Sequence, residues 1–262
     1  MLNDVEVLIL TYNEAPNIGR TLDRLLWARR VVVIDSFSLD QTSEIVRKYS
    51  NVELLQREFD NHANQWNFGL SQIRSDWVLS LDADYEVSDT LVQELTILIP
   101  NDTVDAYFAN FTYRVAGYPL RGTLYPPRAV LFRGSCCVYE QEGHTQVLRI
   151  NGNHGWIHSV IYHDDRKPLT HWLRSQDKYA LLETAHLLGA SPSELNVADR
   201  LRRWIVPAPF LVFFYTLLIK GLILDGWAGW QYALQRTLAE VLLSIRLIEA
   251  RLNRVNAAGS ST

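Results

Sequence analysis

The chain has 262 residues, 48% of them hydrophobic and 21% charged. That is the make-up of a folded protein with a substantial core, and it excludes a disordered or low-complexity chain. The formal net charge is −4, yet from Arg200 onward eight Lys/Arg stand against three Asp/Glu. A basic, apolar C-terminal part suits an anionic membrane surface, and no nucleic acid partner is expected.

In chain order, residues 5–10 read as a buried strand. Residues 15–27 read as a helix with Ile18, Leu22, Leu25 and Leu26 on one face and Pro16 in its first turn. A second strand at 31–34 ends in Asp35. A short helix at 42–49, a strand at 52–55, a helix at 62–73 and a strand at 77–81 follow. Leu2-Asn3-Asp4 leads straight into the first strand, so no signal peptide is expected. This alternation predicts an α/β fold, a doubly wound, mostly parallel sheet with helices on both faces. Ligands of such sheets bind beyond the carboxyl ends of the strands. The chain puts Thr11-Tyr12-Asn13-Glu14, Asp35 and Asp82/Asp84 there.

Beyond Asp84 the pattern changes. Residues 88–99 read as a helix with Ser88 as its N-cap. Strands at 106–113, 129–132, 145–150 and 156–162 extend the sheet and shape an acceptor side. Cys136 and Cys137 are adjacent, with neither metal-site spacing nor a disulfide framework, so a reducing cytosol is expected. From Leu169 onward the reading is helical. One helix spans 171–188, and a long amphipathic one spans 227–252 with apolar residues at 227, 230, 234, 238, 241, 245, 248 and 252. Between them, sixteen uncharged residues from Trp204 precede Lys220. A spanning helix needs roughly 20 apolar residues. The segment therefore reads as a core helix or as an interfacial one, with Arg200, Arg202, Arg203 and Lys220 reaching headgroups. The expected plan is a catalytic domain over 1–168, split near 100 into donor and acceptor halves, a helical region over 169–255, and a disordered tail over 256–262.

Asp82-Ala83-Asp84 is the most informative motif. Two carboxylates at the exit of a buried strand need a compensating charge. A divalent cation that also takes substrate phosphates supplies it. The plainer alternative is a strand-ending turn, because Asp bonds local backbone readily.

Together, Thr11-Tyr12-Asn13-Glu14, the run from Val33 through Asp35 to Thr42, and Leu81-Asp82-Ala83-Asp84 resemble the nucleotide-diphospho-sugar glycosyltransferases of family 2, which have the GT-A fold. Tyr125-Pro126-Pro127-Arg128, Leu131-Phe132-Arg133 and the run Lys220 to Gly229 are similar to the branch containing lipopolysaccharide core β-1,4-glucosyltransferases. The resemblance implies that Thr11 and Tyr12 line the nucleobase pocket and that Glu14 approaches the nucleotide. Asp35 would accept a hydrogen bond from base or ribose, or else be a turn-forming Asp. Asp82 would face ribose and metal, and Asp84 would bind Mn²⁺ or Mg²⁺. His163, after the last core strand, would touch metal or diphosphate, or be a satisfied surface histidine. Arg128 would steady the diphosphate or an anionic acceptor, or be a solvated charge.

Inverting transfer to a hydroxyl needs a base. Gln146 stands where relatives carry a glutamate, and Gln cannot serve. Glu142 and His144 are the candidates, with Glu140 behind them; the alternative is a polar hairpin turn around Gly143. The expected activity is inverting transfer of a sugar from a nucleotide-sugar, a UDP-sugar, to a lipid-linked glycan acceptor at the inner face of the cytoplasmic membrane. Two other readings stay open. A polyprenyl-phosphate acceptor would need no base, and a donor-binding protein would lack turnover.

Overall fold

The computed structural model describes residues 2–99, 103–142, 145–191, 193 and 195–259; the side chains of residues 3, 142, 145 and 254–259 lie outside that description. The chain forms two compact units. One comprises Met1–Gly117 and Tyr125–Lys167, the other Tyr118–Leu124 and Pro168–Thr262.

The first unit opens with β1 (Val5–Thr11), α1 (Ile18–Asp23), β2 (Val31–Asp35), α2 (Thr42–Val46), β3 (Val52–Gln56), α3 (His62–Ser71) and β4 (Trp77–Asp82). β5 (Tyr85–Val87), α4 (Asp89–Leu98) and β6 (Ala106–Val115) follow. After the short β7 (Tyr118–Pro119) of the second unit come β8 (Arg128–Arg133), β9 (Cys137–Glu142), β10 (Thr145–Ile150) and β11 (His154–His163). The main sheet has the order β3-β2-β1-β4-β8-β6-β11-β5. Neighbours are parallel from β3 to β4 and between β6 and β11. They are antiparallel where β8 joins β4 to β6 and where β5 joins β11.

Side-chain alternation sorts the buried residues into two layers. Val5, Val7 and Ile9 of β1 join Val31, Val33, Trp77, Leu79 and Leu81 against Ile18, Leu22, Leu91 and Leu95. Leu8, Val32, Ile34 and Val78 point the other way, onto Ala63 and Trp66 of α3 and Tyr139 of β9. The expected α/β sheet with helices on both faces is present. Three strands, β5, β7 and β9, were not anticipated, being short or polar. Helix α1 starts only at Ile18, because Asn17 spends its side chain on Glu14 and Asp165. Ser88 caps α4 as expected, accepting from the Leu91 amide.

The second unit is helical: α5 (Leu169–Gly189), α6 (Val197–Arg202), α7 (Pro207–Phe214), a π-helical turn (Tyr215–Ile219), a 3₁₀ turn (Leu222–Asp225) and α8 (Gly226–Gly259). Its core joins Ala180 and Leu187 of α5 to Leu195, Ile205, Leu243 and Leu247. Ile205 has φ 64, an outlier for a β-branched residue, and Ser244 Oγ donates to its carbonyl. Gly221 makes the break before α8 with φ 72, and a Cβ on Gly229 would lie 1.9 Å from the Leu222 carbonyl oxygen. Residues 118–124, which the sequence assigned to the catalytic domain, belong to this unit. Asp225 accepts from the Arg121 amide and Nε, and the Tyr232 hydroxyl accepts from the Leu124 amide.

Three expectations for this unit need correction. First, α8 buries Tyr232, Ala233, Glu240, Leu243, Ser244 and Leu247. Most of the apolar set singled out in the sequence is exposed, namely Trp227, Leu234, Leu238, Ile245, Ile248 and Leu252. The buried face carries Glu240 because Arg202 pairs with it there. Second, the arginines expected at headgroups are engaged internally. Arg202 bridges Glu240, Glu183 and Asp199; Arg203 donates to the carbonyls of Leu187 and Ala190, and Arg200 to that of Leu195. Third, the backbone helix continues to Gly259, past the expected start of the tail at 256. Residues 260–262 lie outside the described residues.

Candidate functional site

Parallel register aligns the ends of three adjacent strands. Thr11 sits beside Asp35, and Leu10 beside Asp82. The loops leaving these strands carry two groups of polar side chains, one on the β2 side and one on the β4 side.

On the β2 side, Asp35 is wholly buried. Its two oxygens accept from Thr11 Oγ1 at 3.1 Å, the Ser38 amide at 3.0 Å, Ser43 Oγ at 3.3 Å and Gln56 Nε2 at 3.4 Å, besides the Ser38 hydroxyl. This corrects the expected direct bond to a base or ribose: the carboxylate has no exposed surface to offer and holds the loops instead. Thr11 is likewise buried and donates to Asp35, so its hydroxyl serves the same clamp. Asn13 joins the two loops, its amide donating to Ser38 Oγ and its Oδ1 accepting from the Leu39 amide. Asn13 (φ 55) and Phe37 (φ 59) both adopt the left-handed conformation, a strain that an L-residue keeps only where its surroundings fix it. The outcome is two half-exposed rings, Tyr12 and Phe37, on the loops after β1 and β2. Tyr12 was expected there. Phe37 was not, and only its positive φ marks it.

On the β4 side, Asp84 Oδ2 lies 3.2 Å from His163 Nε2, with both side chains 13% exposed. The imidazole is boxed by Tyr85, Tyr113 and Tyr125, with ring centroids 5.2, 4.6 and 4.7 Å away. Its buried Nδ1 has no partner among the described residues. Burial opposes charge on both members, but each supplies the other's counter-charge. Asp84 is held below the usual carboxylate range and His163 above its ordinary value.

Glu14 and Lys167 form an ion pair beside them. Burial, opposed by Lys167 and reinforced by Asp84, pushes the Glu14 carboxyl up to about 7. Lys167 is held above its ordinary value against the cost of burial, chiefly by Glu14 and then Asp165. Above about 7 the contact is an ion pair, and withdrawal of the ammonium would push the Glu14 carboxyl higher still.

A buried network fixes these groups. Asn17, wholly buried, donates to Glu14 Oε2 (2.9 Å) and Asp165 Oδ1 (2.8 Å) and accepts from Arg20 Nη2 and the Arg166 amide, each at 2.9 Å. Arg20 also pairs with Glu86 and Asp164. The Asp164 amide donates to the Asp84 carbonyl (3.1 Å), and Thr21 Oγ1 to that of Ala83 (2.7 Å). The Asp82–Asp84 turn and the 163–167 segment are thus pinned to one helix, α1. The sequence had pointed to His163 and Glu14 but missed Asn17, Arg20, Asp164 and Lys167. Polar residues at loop ends carry no periodic signal.

Asp82 faces Arg128, 3.9 Å away, and its charge also helps hold His163 above its ordinary value. The Arg128 guanidinium lies 4.9 Å over the Tyr125 ring, and Asp82 raises its pKa further although burial works the other way. Among the described residues no three His, Cys, Asp or Glu side chains gather closely enough to hold a metal ion. Of the expected trio Asp82, Asp84 and His163, the last two are in contact. One carboxylate and one imidazole still fit a divalent cation that fills the rest of its shell from substrate oxygens. The two base candidates cannot be placed: Glu142 ends β9 with its side chain outside the described residues, and His144 lies outside them altogether. Glu140, behind them, pairs with Arg149 at 2.8 Å on the β9–β10 hairpin.

A second concavity lies at the opposite, amino ends of β1 to β4, lined by Asp4, Glu6, Arg29, Arg30, Glu53 and Arg74. Arg30 answers Glu6, Glu53 and the Gln72 carbonyl there, so its charges are largely met from within. The carboxyl-end rim is the better candidate.

The mostly parallel sheet with a polar rim at its carboxyl ends is the GT-A arrangement, and comparison with known proteins agrees. Residues 6–136 match the Glycosyl transferase family 2 profile, and the chain belongs to that family. An uncharacterized glycosyltransferase of Rickettsia bellii (strain RML369-C) is 29% identical over 106 residues, 40% of this chain and 36% of that protein. The lipopolysaccharide core biosynthesis glycosyltransferase LpsC of Rhizobium meliloti (strain 1021) is 25% identical over 99 residues, 36% of this chain and 37% of LpsC. The chain thus spans under two fifths of the length of these curated relatives. Among solved structures, the mannosyltransferase PcManGT from Pyrobaculum calidifontis in complex with GDP-Man and Mn²⁺ superposes with TM-score 0.53 at 17% identity, covering 95% of this chain and 87% of that one. S. aureus TarS 1-349 in complex with UDP-GlcNAc gives 0.51 at 15% identity, covering 95% and 91%. These likenesses establish the fold.

Proposed function

We propose that the protein moves a hexose, with inversion, from a UDP-sugar to a membrane-linked glycan such as a lipopolysaccharide core or a cell-surface polysaccharide intermediate. The observation that carries this reading is the buried Asp84–His163 pair, 3.2 Å apart, at the exit of β4 with Glu14 and Lys167 beside it. The GDP-Man complex of PcManGT, the UDP-GlcNAc complex of TarS and the likeness to LpsC support a nucleotide-sugar donor and a lipopolysaccharide acceptor.

In this reading Tyr12 and Phe37 stack on the base, and the Asp35 clamp keeps their loops in place. Asp84 and His163 would hold Mn²⁺ or Mg²⁺, which would supply Lewis-acid charge to the departing diphosphate. Lys167 leaves Glu14 for a diphosphate oxygen, and Glu14 takes up a proton in the same exchange. Arg128, anchored on Asp82 and the Tyr125 ring, offers a second cation. An acceptor hydroxyl bonds to the anomeric carbon as the carbon–oxygen bond to the diphosphate breaks, and its proton passes to Glu142 or His144.

The test is a donor screen detecting released nucleoside diphosphate by mass, with and without Mn²⁺. UDP release from one UDP-sugar that depends on the metal is expected. UDP binding without any release from any donor would favour the binding-only reading.

A further inference from the structure

The second unit exposes apolar side chains in a pattern that a water-facing helix does not tolerate. From Pro207 to Ile219 the helix is apolar on every side. Ala208, Pro209, Thr216 and Leu217 are buried, while Phe210, Leu211, Phe214, Tyr215, Leu218 and Ile219 face outward. The outward set recurs in pairs four residues apart, a single continuous stripe. After the turn at Gly221 the stripe resumes with Ile223 and Leu224, and Trp227 is 89% exposed. A helix apolar all round belongs inside a core or in lipid. This one lies at the surface.

We propose that the elbow formed by α7, the π-helical turn, the 3₁₀ turn and the first turn of α8 inserts into the headgroup boundary of a lipid bilayer, held by apolar burial and not by attraction to anionic lipid. Three observations select lipid over a protein partner. The run from Trp204 to Ile219 carries no charge. The helices on either side of the break, Pro207–Ile219 and Leu222–Asn253, together have the length and composition of a broken span or re-entrant segment and are bent by 69°, while no single described helix is long and apolar enough to cross a membrane. Finally, Trp204, Tyr215 and Trp227, rings suited to the membrane boundary, lie along the exposed segment. Lys220, at the bend, holds its ammonium 5.7 Å over the Tyr215 ring, its aliphatic stem able to lie along the apolar surface.

The mode of attachment follows from the arginines. Arg202 is paired with Glu240 and Arg203 donates to carbonyls inside the unit, which leaves the exposed Arg200 and the half-buried Lys220 beside an otherwise uncharged run, fewer cations than a polybasic contact uses. The inference uses no nucleotide and is independent of the transferase reading.

Flotation of the full chain with zwitterionic phosphatidylcholine vesicles tests it. Binding is expected without anionic lipid and unchanged between about 0.1 and about 1 M salt, conditions that would screen a purely electrostatic contact. Ile219→Glu with Leu224→Glu, at positions 73% and 68% exposed, leaves the core untouched and should lower the floated fraction at least about tenfold. Ile97→Glu, at a 75% exposed position in the first unit, should float like the wild type. Matching melting temperatures check that the variants are folded. Flotation only with anionic lipid, equal flotation of the double variant, or no flotation at all would overturn the proposal. In the last case, a dimer that the double variant dissociates would identify the surface as a contact between copies.

Discussion

At the rim of the first unit, charge is buried and answered: Asp84 by His163, Glu14 by Lys167, Asp164 by Arg20 and Arg166. In the second unit, large apolar side chains are left facing outward along α7, the turns after it and α8. Each costs folding free energy that a protein selected for stability alone would not spend. Buried ion pairs are at best a weak gain over apolar packing, and exposed apolar stripes forgo burial. Departures of opposite kind in two units of one chain are most simply read as two tasks, polar chemistry in one and contact with an apolar phase in the other.

Variants of the rim should abolish transfer and leave vesicle binding alone, and the largest effect is expected at Asp84. Asp84→Ala should reduce nucleoside diphosphate release about 10³-fold or more, with flotation and circular dichroism unchanged. A variant that lost flotation as well would break the separation of tasks. Next, Glu142→Gln should lower transfer to a hydroxyl acceptor by about 10²-fold and flatten the acid limb of the pH–rate profile. Little change would instead favour a lipid phosphate as acceptor, since its oxygen is already ionised. For Lys167→Ala the expectation is a rise of about tenfold in the donor KM with kcat less affected, partly restored by Lys167→Arg, measured by initial rates over a donor series.

The smallest effect concerns pH and stability. Glu14 has its folded-state pKa raised from 4.5 to about 7. Its contribution to stability is therefore fully present below its unfolded value and is lost as pH rises through about 7. Relative to Glu14→Gln, the metal-free wild type should lose on the order of 2–3 kcal/mol between pH 5 and pH 8 in denaturant titrations. A parallel pair of curves would remove Glu14 from the account.

Much of this was legible in the chain. Apolar runs ending in Asp35 and Asp82 gave β2 and β4, and the alternation with helices fixed the carboxyl-end rim, because period and strand exit are local properties. Residues that work through tertiary contacts were not legible. Lys167 meets Glu14 across 153 positions, and Asn17 meets Asp165 across 148. Asp35 could be a ligand or a turn-forming Asp on its type and place alone. Only the structure reveals that the donors from Thr11, Ser38, Ser43 and Gln56 have taken it. In α8 the apolar period alone did not say which face is buried; the buried face carries Tyr232, Leu243 and Leu247 and includes Glu240, paired with Arg202.

The rim account is tested most directly by nucleoside diphosphate release from a UDP-sugar, followed with Mn²⁺ and with chelator for the wild type and for Asp84→Ala side by side. Metal-dependent release by the wild type, absent from the folded variant, is the predicted result. Equal release by both proteins, or release indifferent to the metal, would contradict the assignment of Asp84 and His163 to the leaving diphosphate.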